Sequence, residues 1–120
     1  MKNGFEFKFC ETNYQNCFIE YSTYLNGNLK LSLYGLDPKI KQIAHLLDIT
    51  LENNKTKLPK NQIIVNHHFR PTLVKQLENL GILKEKIGMC VINNTFYPIY
   101  TINFSKVLEN CYYLQDLVAA

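Results

Sequence analysis

Tryptophan is absent from this 120-residue sequence, and arginine occurs only once, at Arg70. All other basic residues are lysines, which lack the planar fork with which arginine reads bases and clamps phosphates. With 13 basic and 10 acidic residues, the formal net charge is +3. This charge is small for a dedicated nucleic-acid-binding protein, so direct sequence readout of DNA is not expected.

The sequence also lacks patterns that would indicate a membrane, an export signal or a phosphate site. It has no apolar run of about 20 residues, and its first residues alternate charged with apolar side chains, unlike a signal peptide. Its glycines are isolated, so no glycine-rich phosphate loop occurs. We therefore expect a cytoplasmic protein with reduced thiols, no membrane contact and no cofactor.

The composition that is present is that of a folded domain. Hydrophobic residues make up 47% of the chain and charged residues 19%, and a chain of this length can bury a core without disulfides. We predict one domain over residues 1–120, with a core in residues 5–104 and a C-terminal helix over residues 105–118.

A β-hairpin over residues 17–35 is the strongest local pattern. Its two arms flank an Asn-Gly-Asn sequence at residues 26–28, and Asn-Gly tolerates the positive φ of a tight hairpin turn. Three leucines alternate along the second arm and are predicted to face the core: Leu29, Leu31 and Leu33. Lys30 and Tyr34 then lie on the opposite face.

Other strands are predicted on both sides of this hairpin. They cover residues 5–10 (with Phe5, Phe7 and Phe9 inward), 62–66, 89–93 and 96–104, with loops at residues 11–16 and 53–61. The last two strands are predicted to form a second hairpin around residues 93–95. Residues 39–52 also fit a helix capped at Asp37, but their polar alternation favours a strand from about Ile43. Pro98 has no N–H, so its strand is predicted to be an edge or to turn that position outward.

Two helices complete the prediction. The first begins at Pro71 and ends at Gly81 in the left-handed conformation. The second is capped by Ser105, and its apolar stripe is Val107, Leu108, Cys111, Leu114 and Leu117. Together these elements predict an α+β fold, an antiparallel meandering sheet of about six strands with two helices packed on one face or edge.

His67, His68 and Arg70 are the most prominent polar cluster. They fit either a small-ligand or metal site or a strand-to-helix junction in which the rings cap backbone groups. Adjacent residues on a strand point to opposite faces, and no carboxylate lies close by in sequence to orient a ring. The junction is therefore favoured.

The four cysteines also allow two interpretations. Cys10 and Cys17 could face each other and hold zinc together with histidines, but their spacing is looser than in a structural zinc site. Cys90 and Cys111 lie inside apolar patterns. Free thiols without a catalytic or metal role are favoured.

Lysines and tyrosines provide the candidate binding surfaces. A basic loop at residues 55–60 is either a phosphate-tracking surface or a solvated loop. Tyrosines on both hairpins, including Tyr97 and Tyr100, form either an exposed face typical of protein binding or a layer covered by helices. The candidate binding residues are Tyr21, Tyr24, Asn28, Lys30, Tyr34, Lys55, Lys57, Lys60 and Arg70.

Five short motifs occur in order along the chain. They are Tyr-Leu-Asn-Gly-Asn-Leu at residues 24–29, the alternating strand ending at Leu51, Leu-Pro-x-Asn at 58–61, Leu-x-x-Leu-Gly-Ile at 77–82 and Pro-x-Tyr at 98–100. On these motifs the chain resembles a family of small uncharacterised proteins carried by phages, plasmids and integrative elements of low-GC and gut bacteria. The resemblance covers about residues 18–103 and implies a strand at 43–51. It supplies no catalytic residue, and it implies a setting in which small proteins without active sites often inhibit host defence.

Three hypotheses about function follow. The first is a non-enzymatic phage or mobile-element protein that binds a host defence component, such as a CRISPR effector, in the host cytoplasm and blocks it sterically. The second is a nucleic-acid-associated accessory protein that uses the loop at residues 55–60 and stacking tyrosines. The third is a small-ligand or metal site at His67, His68 and Arg70.

Overall fold

The structure, a computed structural model, describes residues 4–111. Its elements are, in chain order, β1 (Phe5–Phe9), β2 (Thr12–Thr23), β3 (Leu29–Asp37), β4 (Gln42–Asp48), β5 (Gln62–Ile64), α1 (Leu73–Asn79), β6 (Leu83–Ile92), β7 (Thr95–Ile102) and α2 (Phe104–Glu109). The strands form a four-stranded antiparallel meander, β1-β2-β3-β4, and a three-stranded antiparallel sheet in the order β5-β7-β6. The α+β class is confirmed, whereas the described residues contain two sheets rather than one sheet of about six strands.

The first hairpin turns at Cys10 and Glu11, whose φ angles are 49° and 65°. Two successive residues with positive φ make a turn whose twist matches that of the flanking strands. Consequently β2 begins at Thr12, and the predicted loop over residues 11–16 is wrong. Neither turn residue is a glycine or asparagine, so the usual sequence signal for such a turn is missing.

The central hairpin between β2 and β3 is confirmed. Its turn contains Gly27 with a φ of +89°, and the predicted leucines face inward. Leu31 and Leu33 are fully buried, while Leu29 packs at the margin of the core. The register places Tyr21 opposite Leu31, so this tyrosine is on the leucine face of the hairpin.

The strand predicted from about Ile43 is also confirmed as β4. Before it, the carbonyl oxygen of Asp37 accepts a hydrogen bond from the Lys41 N–H at 2.8 Å, which closes a turn rather than starting a helix. A register shift against β3 interrupts the predicted alternation. As a result, Leu46 and Leu47 both pack against the core.

The second sheet has β7 at its centre, between β5 and β6. Of the two alternatives predicted for Pro98, the edge strand is therefore wrong. Its carbonyl oxygen accepts a hydrogen bond from the Val65 N–H at 3.0 Å. Since the N and O atoms of a residue in an antiparallel strand point to the same side, the Pro98 nitrogen faces a position beyond the end of β5. The missing N–H thus removes no hydrogen bond from the ladder with β6.

The β6–β7 hairpin turns at Asn93 and Asn94, as predicted, with φ angles of 50° and 64°. Asparagine adopts this left-handed conformation more readily than most residues. β6 extends back to Leu83, well before its predicted start at residue 89.

Both helices are short. α1 begins two residues after Pro71, buries Leu73 and Leu77, and is followed by Gly81 with a φ of +77°, as predicted.

α2 begins at Phe104, so the predicted N-cap at Ser105 is wrong and Asn103 holds that position. α2 ends at Glu109, and the remainder of the predicted helix, including Leu114 and Leu117, lies outside the described residues.

One apolar core joins the two sheets and both helices. Phe7 is buried in this core, and Phe5 and Phe9 are partly buried and pack against the core, so all three face inward as predicted. The other buried members are Cys17, Ile19, Leu31, Leu33, Leu47, Ile49, Ile63, Val65, Leu73, Leu77, Ile82, Leu83, Tyr100, Ile102 and Val107. A bridge between Thr50 and Val65 connects the sheets. The core thereby fixes the β2–β3 hairpin relative to α2 and to the loop between β4 and β5.

Candidate functional site

An open groove with a volume of about 820 Å³ lies beside the β2–β3 hairpin. Its lining comes from this hairpin, from the loop between β4 and β5, and from the first residue of α2. We call it the hairpin groove, and the lining residues that matter most are Tyr21, Thr23, Leu29, Lys57, Lys60 and Phe104. Three of these, Tyr21, Lys57 and Lys60, are candidates from the sequence, and the structure brings them together.

Two aromatic rings meet in the groove. Tyr21 and Phe104 pack edge to face, with ring centroids 5.4 Å apart and an interplanar angle of 79°. Their exposed fractions are 43% and 38%, so each ring contacts the other while keeping much of its surface open. Such half-exposed aromatic surface in a concave site is typical of protein and small-molecule binding.

The edge of β2 that borders the groove is open. Ile19 donates its N–H to the Asn110 carbonyl oxygen at 2.7 Å, so its backbone points away from β3. Because these directions alternate along an antiparallel strand, the N–H and C=O groups of Tyr21 and Thr23 also point away from β3. Among residues 4–111, none pairs with them. Within the described part of the chain, the strand edge at Tyr21 and Thr23 is therefore unpaired where it borders the groove.

Asparagines of the hairpin turn hold the opposite side of the groove. The Asn28 side chain donates to the Thr56 carbonyl oxygen at 2.8 Å and accepts from the Leu58 N–H at 2.8 Å. Asn26 donates from its side chain to the Asn53 carbonyl oxygen at 2.9 Å. These bonds satisfy loop backbone groups that have no ladder partner, and so they position the loop.

The groove has a positive end. Lys57 donates from its ammonium group to the Asn26 carbonyl oxygen at 2.9 Å, which fixes this lysine at the hairpin turn. Lys60 is exposed nearby on the same loop. Among the described residues that line the groove, none is acidic. The groove is thus suited to an apolar ligand that carries negative charge.

The predicted tyrosine face is not continuous. Tyr34 lies on the opposite face of the first sheet from Tyr21, where it stacks on Phe18 with ring centroids 5.4 Å apart. Tyr24 forms a hydrogen bond between its hydroxyl and Thr50 Oγ1 at 3.0 Å, and burial raises its pKa above the ordinary value. The tyrosines of the β2–β3 hairpin therefore divide between two faces, and of these only Tyr21 borders the groove.

The remaining candidate binding residues lie elsewhere. Asn28 is buried and has the positioning contacts described above. The Lys30 ammonium group lies 5.7 Å from the centre of the Tyr24 ring. Lys55 is exposed on the loop between β4 and β5 but does not line the groove.

His67, His68 and Arg70 fall in the turn between β5 and α1. Both histidine rings approach Tyr97, at centroid distances of 5.7 Å and 6.4 Å. Arg70 donates weakly to the carbonyl oxygens of Asn66 and His68, at 3.5 Å and 3.4 Å. Because His67 and His68 lie beyond the end of β5, their rings do not point to opposite faces as adjacent side chains on a strand do. These contacts fit a junction between elements.

The cysteines are free thiols in different environments. Cys10 is exposed in the first turn, Cys17 is fully buried, and Cys90 and Cys111 are partly buried. Burial raises the pKa of the Cys17 thiol to about 12. Between residues 4 and 111, no three His, Cys, Asp or Glu side chains lie close enough to share a metal ion.

A polar cluster on the face away from the core centres on Asp48. Its carboxylate accepts hydrogen bonds from Ser32 Oγ at 2.8 Å and from His45 Nε2 at 2.9 Å. Partial burial raises the pKa of Asp48, but the hydrogen bonds from His45 and Ser32 outweigh that effect, so its pKa lies below the ordinary value. The cluster joins β3 to β4.

Several contributors to exposed surface are not evident from the sequence. Phe104 is the last residue of a predicted strand, yet in the structure it begins α2 and lines the groove. Leu58 and Pro59 belong to a motif interpreted as a loop, and they also line the groove. Their apolar character within a polar loop is the signal that could have identified them. A separate group of exposed apolar side chains lies on the β6–β7 hairpin: Ile87, Met89, Val91 and Phe96.

Two further results concern the chain as a whole. Within the described part of the chain, no helix has the length and apolarity needed to cross a membrane. A scan against protein-family models, a search of curated proteins and a search of solved structures found no match to this chain.

Proposed function

We propose that this protein acts without catalysis, by binding another protein through the hairpin groove. The observation that carries the proposal is the groove itself, which combines half-exposed aromatic rings, an open strand edge and two lysines in about 820 Å³. Aromatic side chains lose little conformational entropy when they bind, and they supply much of the energy of protein interfaces. Two of the motifs that define the resemblance, at residues 24–29 and 58–61, also contribute to the groove.

The wider proposal is that the bound protein is a host defence component and that binding blocks it sterically. It follows from the resemblance to proteins of phages and mobile elements. Steric inhibition requires only a stable interface and no catalytic group, and the hairpin groove supplies a candidate surface for such an interface.

A nucleic-acid ligand is the second candidate, because lysine and aromatic side chains occur together in the groove. Single-stranded nucleic acids are bound by such combinations. The groove, however, places its lysines at one end only, and Lys57 is already bonded to the backbone at Asn26. Tracking a phosphate backbone needs positive charge along the whole path, so a protein ligand is favoured.

Charge reversal in the groove tests the proposal. The variant Lys57→Glu/Lys60→Glu alters the positive end of the groove, and the control Lys39→Glu/Lys55→Glu changes two exposed lysines that do not line it. Both variants lower the formal net charge from +3 to −1, since each substitution changes it by −2. The tagged proteins are used to capture partners from a lysate of the host bacterium, followed by quantitative mass spectrometry at low and high salt.

We expect the groove variant to reduce capture of a stoichiometric protein partner at least tenfold, while the control stays within about twofold. If both variants lose the partner equally, or if only nucleic acid is captured and binding falls steeply with salt, a protein-binding groove is refuted.

A further inference from the structure

We infer, on the basis of the proposed function, that the ligand of the hairpin groove is an extended acidic segment of the partner protein, which pairs as an additional strand with the edge of β2 that has no partner among residues 4–111. The partner is thus defined by its chemistry: a short β-strand with alternating apolar side chains and at least one carboxylate.

The open edge supplies the reason for an extended ligand. The backbone of Ile19 is already bonded to Asn110, and the next residues that point the same way are Tyr21 and Thr23. Their two N–H and two C=O groups have no partner among residues 4–111. An unpaired strand edge is a template for another strand, because main-chain hydrogen bonds supply affinity without demanding a particular sequence.

The length of the open edge sets the length of the segment. From Tyr21 to Thr23 the strand advances about 7 Å, since each residue adds about 3.4 Å. A partner that uses all four backbone groups needs about four or five extended residues. This span fits beside the groove and does not require β2 to change its pairing with β3.

Alternation sets the side-chain pattern of the segment. Side chains of an added strand point to the two faces of the sheet in turn. Those on the leucine face of the hairpin enter the groove beside Tyr21, Leu29 and Phe104 and should be apolar.

The lysines add the requirement for a carboxylate. Lys57 and Lys60 lie on the loop that borders the groove, and no lining residue within the described part of the chain is acidic. A carboxylate near one end of the segment can therefore approach two ammonium groups without repulsion from the lining. An exposed ion pair changes affinity by about two- to fivefold, so the carboxylate contributes to selectivity more than to total affinity.

The test uses the full-length protein and two defined probes. Each probe is an acetylated seven-residue peptide with valine at odd and threonine at even positions. One glutamate replaces the valine at the first or the seventh position, so that it lies on the same face as the remaining valines, and the two probes cover both directions of pairing. Binding is followed by NMR titration and by hydrogen exchange of backbone amides. Thr23→Pro removes the edge N–H of this residue, and Thr23→Val retains it with nearly the same shape.

We expect one probe to shift the Tyr21 and Thr23 amide signals and to protect both from exchange. Thr23→Pro should weaken binding at least tenfold, and Thr23→Val by less than about threefold. Replacing the glutamate of the probe with lysine should weaken binding at least fivefold. Because proline is tolerated at an open strand edge, we expect Thr23→Pro to fold. Continued protection of its Ile19 amide from exchange checks that it does.

N-methylated probes provide a test that does not depend on folding of a variant. Methyl groups on probe amides that face β2 should abolish binding, while those on the intervening residues should not. If both sets bind alike, if Thr23→Pro and Thr23→Val bind alike, or if neither probe binds at millimolar concentration, strand pairing is refuted.

The outcomes also separate this inference from the proposed function. If partner capture depends on Lys57 and Lys60 but is unaffected by Thr23→Pro, the groove binds its partner by another mode and only the inference fails. If capture is unaffected by any of these changes, both fail. If the protein alone protects its Tyr21 and Thr23 amides in a dimer that Thr23→Pro dissociates, the occupant is a second copy of this chain and the acidic segment is overturned.

Discussion

Asn28 offers the most direct test of how the groove is held in shape. Asn28 is 5% exposed, and its side chain bonds to the Thr56 carbonyl oxygen and the Leu58 N–H, both at 2.8 Å. In Asn28→Ala both bonds are lost. The partly buried Leu58 N–H then loses its partner, and the Thr56 carbonyl oxygen keeps a longer bond from the Asn26 side chain, at 3.4 Å. Each net hydrogen bond is worth about 1 kcal/mol, and an unsatisfied buried group costs about 1–3 kcal/mol. We therefore expect the free energy of unfolding to fall by about 2–3 kcal/mol.

Urea denaturation measures this loss. With an m-value of about 2 kcal/mol/M, the midpoint should fall by about 1 M. Asn54→Ala is the matched control, because Asn54 is exposed on the same loop, and it should change stability by less than about 0.5 kcal/mol. Exchange of the Leu58 amide should accelerate in Asn28→Ala only. If the two variants are equally stable, Asn28 does not hold the loop and the account of the groove is wrong.

Three further predictions concern the sheets, the thiols and the pH dependence of stability. Gly35→Ala should lower the free energy of unfolding by about 1–3 kcal/mol, because a Cβ there would meet the Cys17 Sγ at 2.8 Å. Gly88→Ala, where a Cβ would meet nothing within 4 Å, should be tolerated. Equal unfolding midpoints of the two variants in urea would contradict this. In the native protein at pH 8, a thiol reagent followed by mass spectrometry should label exposed Cys10 quickly and buried Cys17 only on unfolding; fast labelling of Cys17 would show that the core opens there. Because the pKa of Asp48 is lower in the folded state, its contribution is present above about pH 4 and is lost as pH falls through the folded pKa. Asp48→Asn should therefore flatten the acid limb of stability measured by urea denaturation, and an unchanged limb would contradict the role of its hydrogen bonds.

The local features that the sequence predicts correctly are those set by short-range chemistry. The turn at Gly27 and the left-handed Gly81 follow from glycine's freedom at positive φ. The inward leucines of β3 follow from period-two alternation beside a fixed turn.

The features that the sequence does not predict depend on contacts between distant residues. The turn at Cys10 and Glu11 has no glycine or asparagine and is imposed by the pairing of β1 with β2. Pro98 fits in a central strand because the pairing of β5 with β7 ends just before it, and no local sequence pattern predicts where that pairing ends. Division of the strands into two sheets likewise depends on long-range pairing.

The hairpin groove could be predicted only in part for the same reason. Tyr21 and the loop lysines are visible as candidates, but Phe104 comes from the far end of the described chain and meets Tyr21 only in the folded structure. The open edge of β2 becomes evident only when Asn110 is seen bonded to Ile19. Burial and pairing, rather than residue type, define this site.

Backbone NMR of the labelled protein with its captured partner shows whether the partner binds in the hairpin groove. We expect the largest changes in amide signals at Tyr21, Thr23, Leu58 and Phe104. Binding in the groove is refuted if changes are confined to the exposed face of the β6–β7 hairpin, around Val91, while the groove signals do not move.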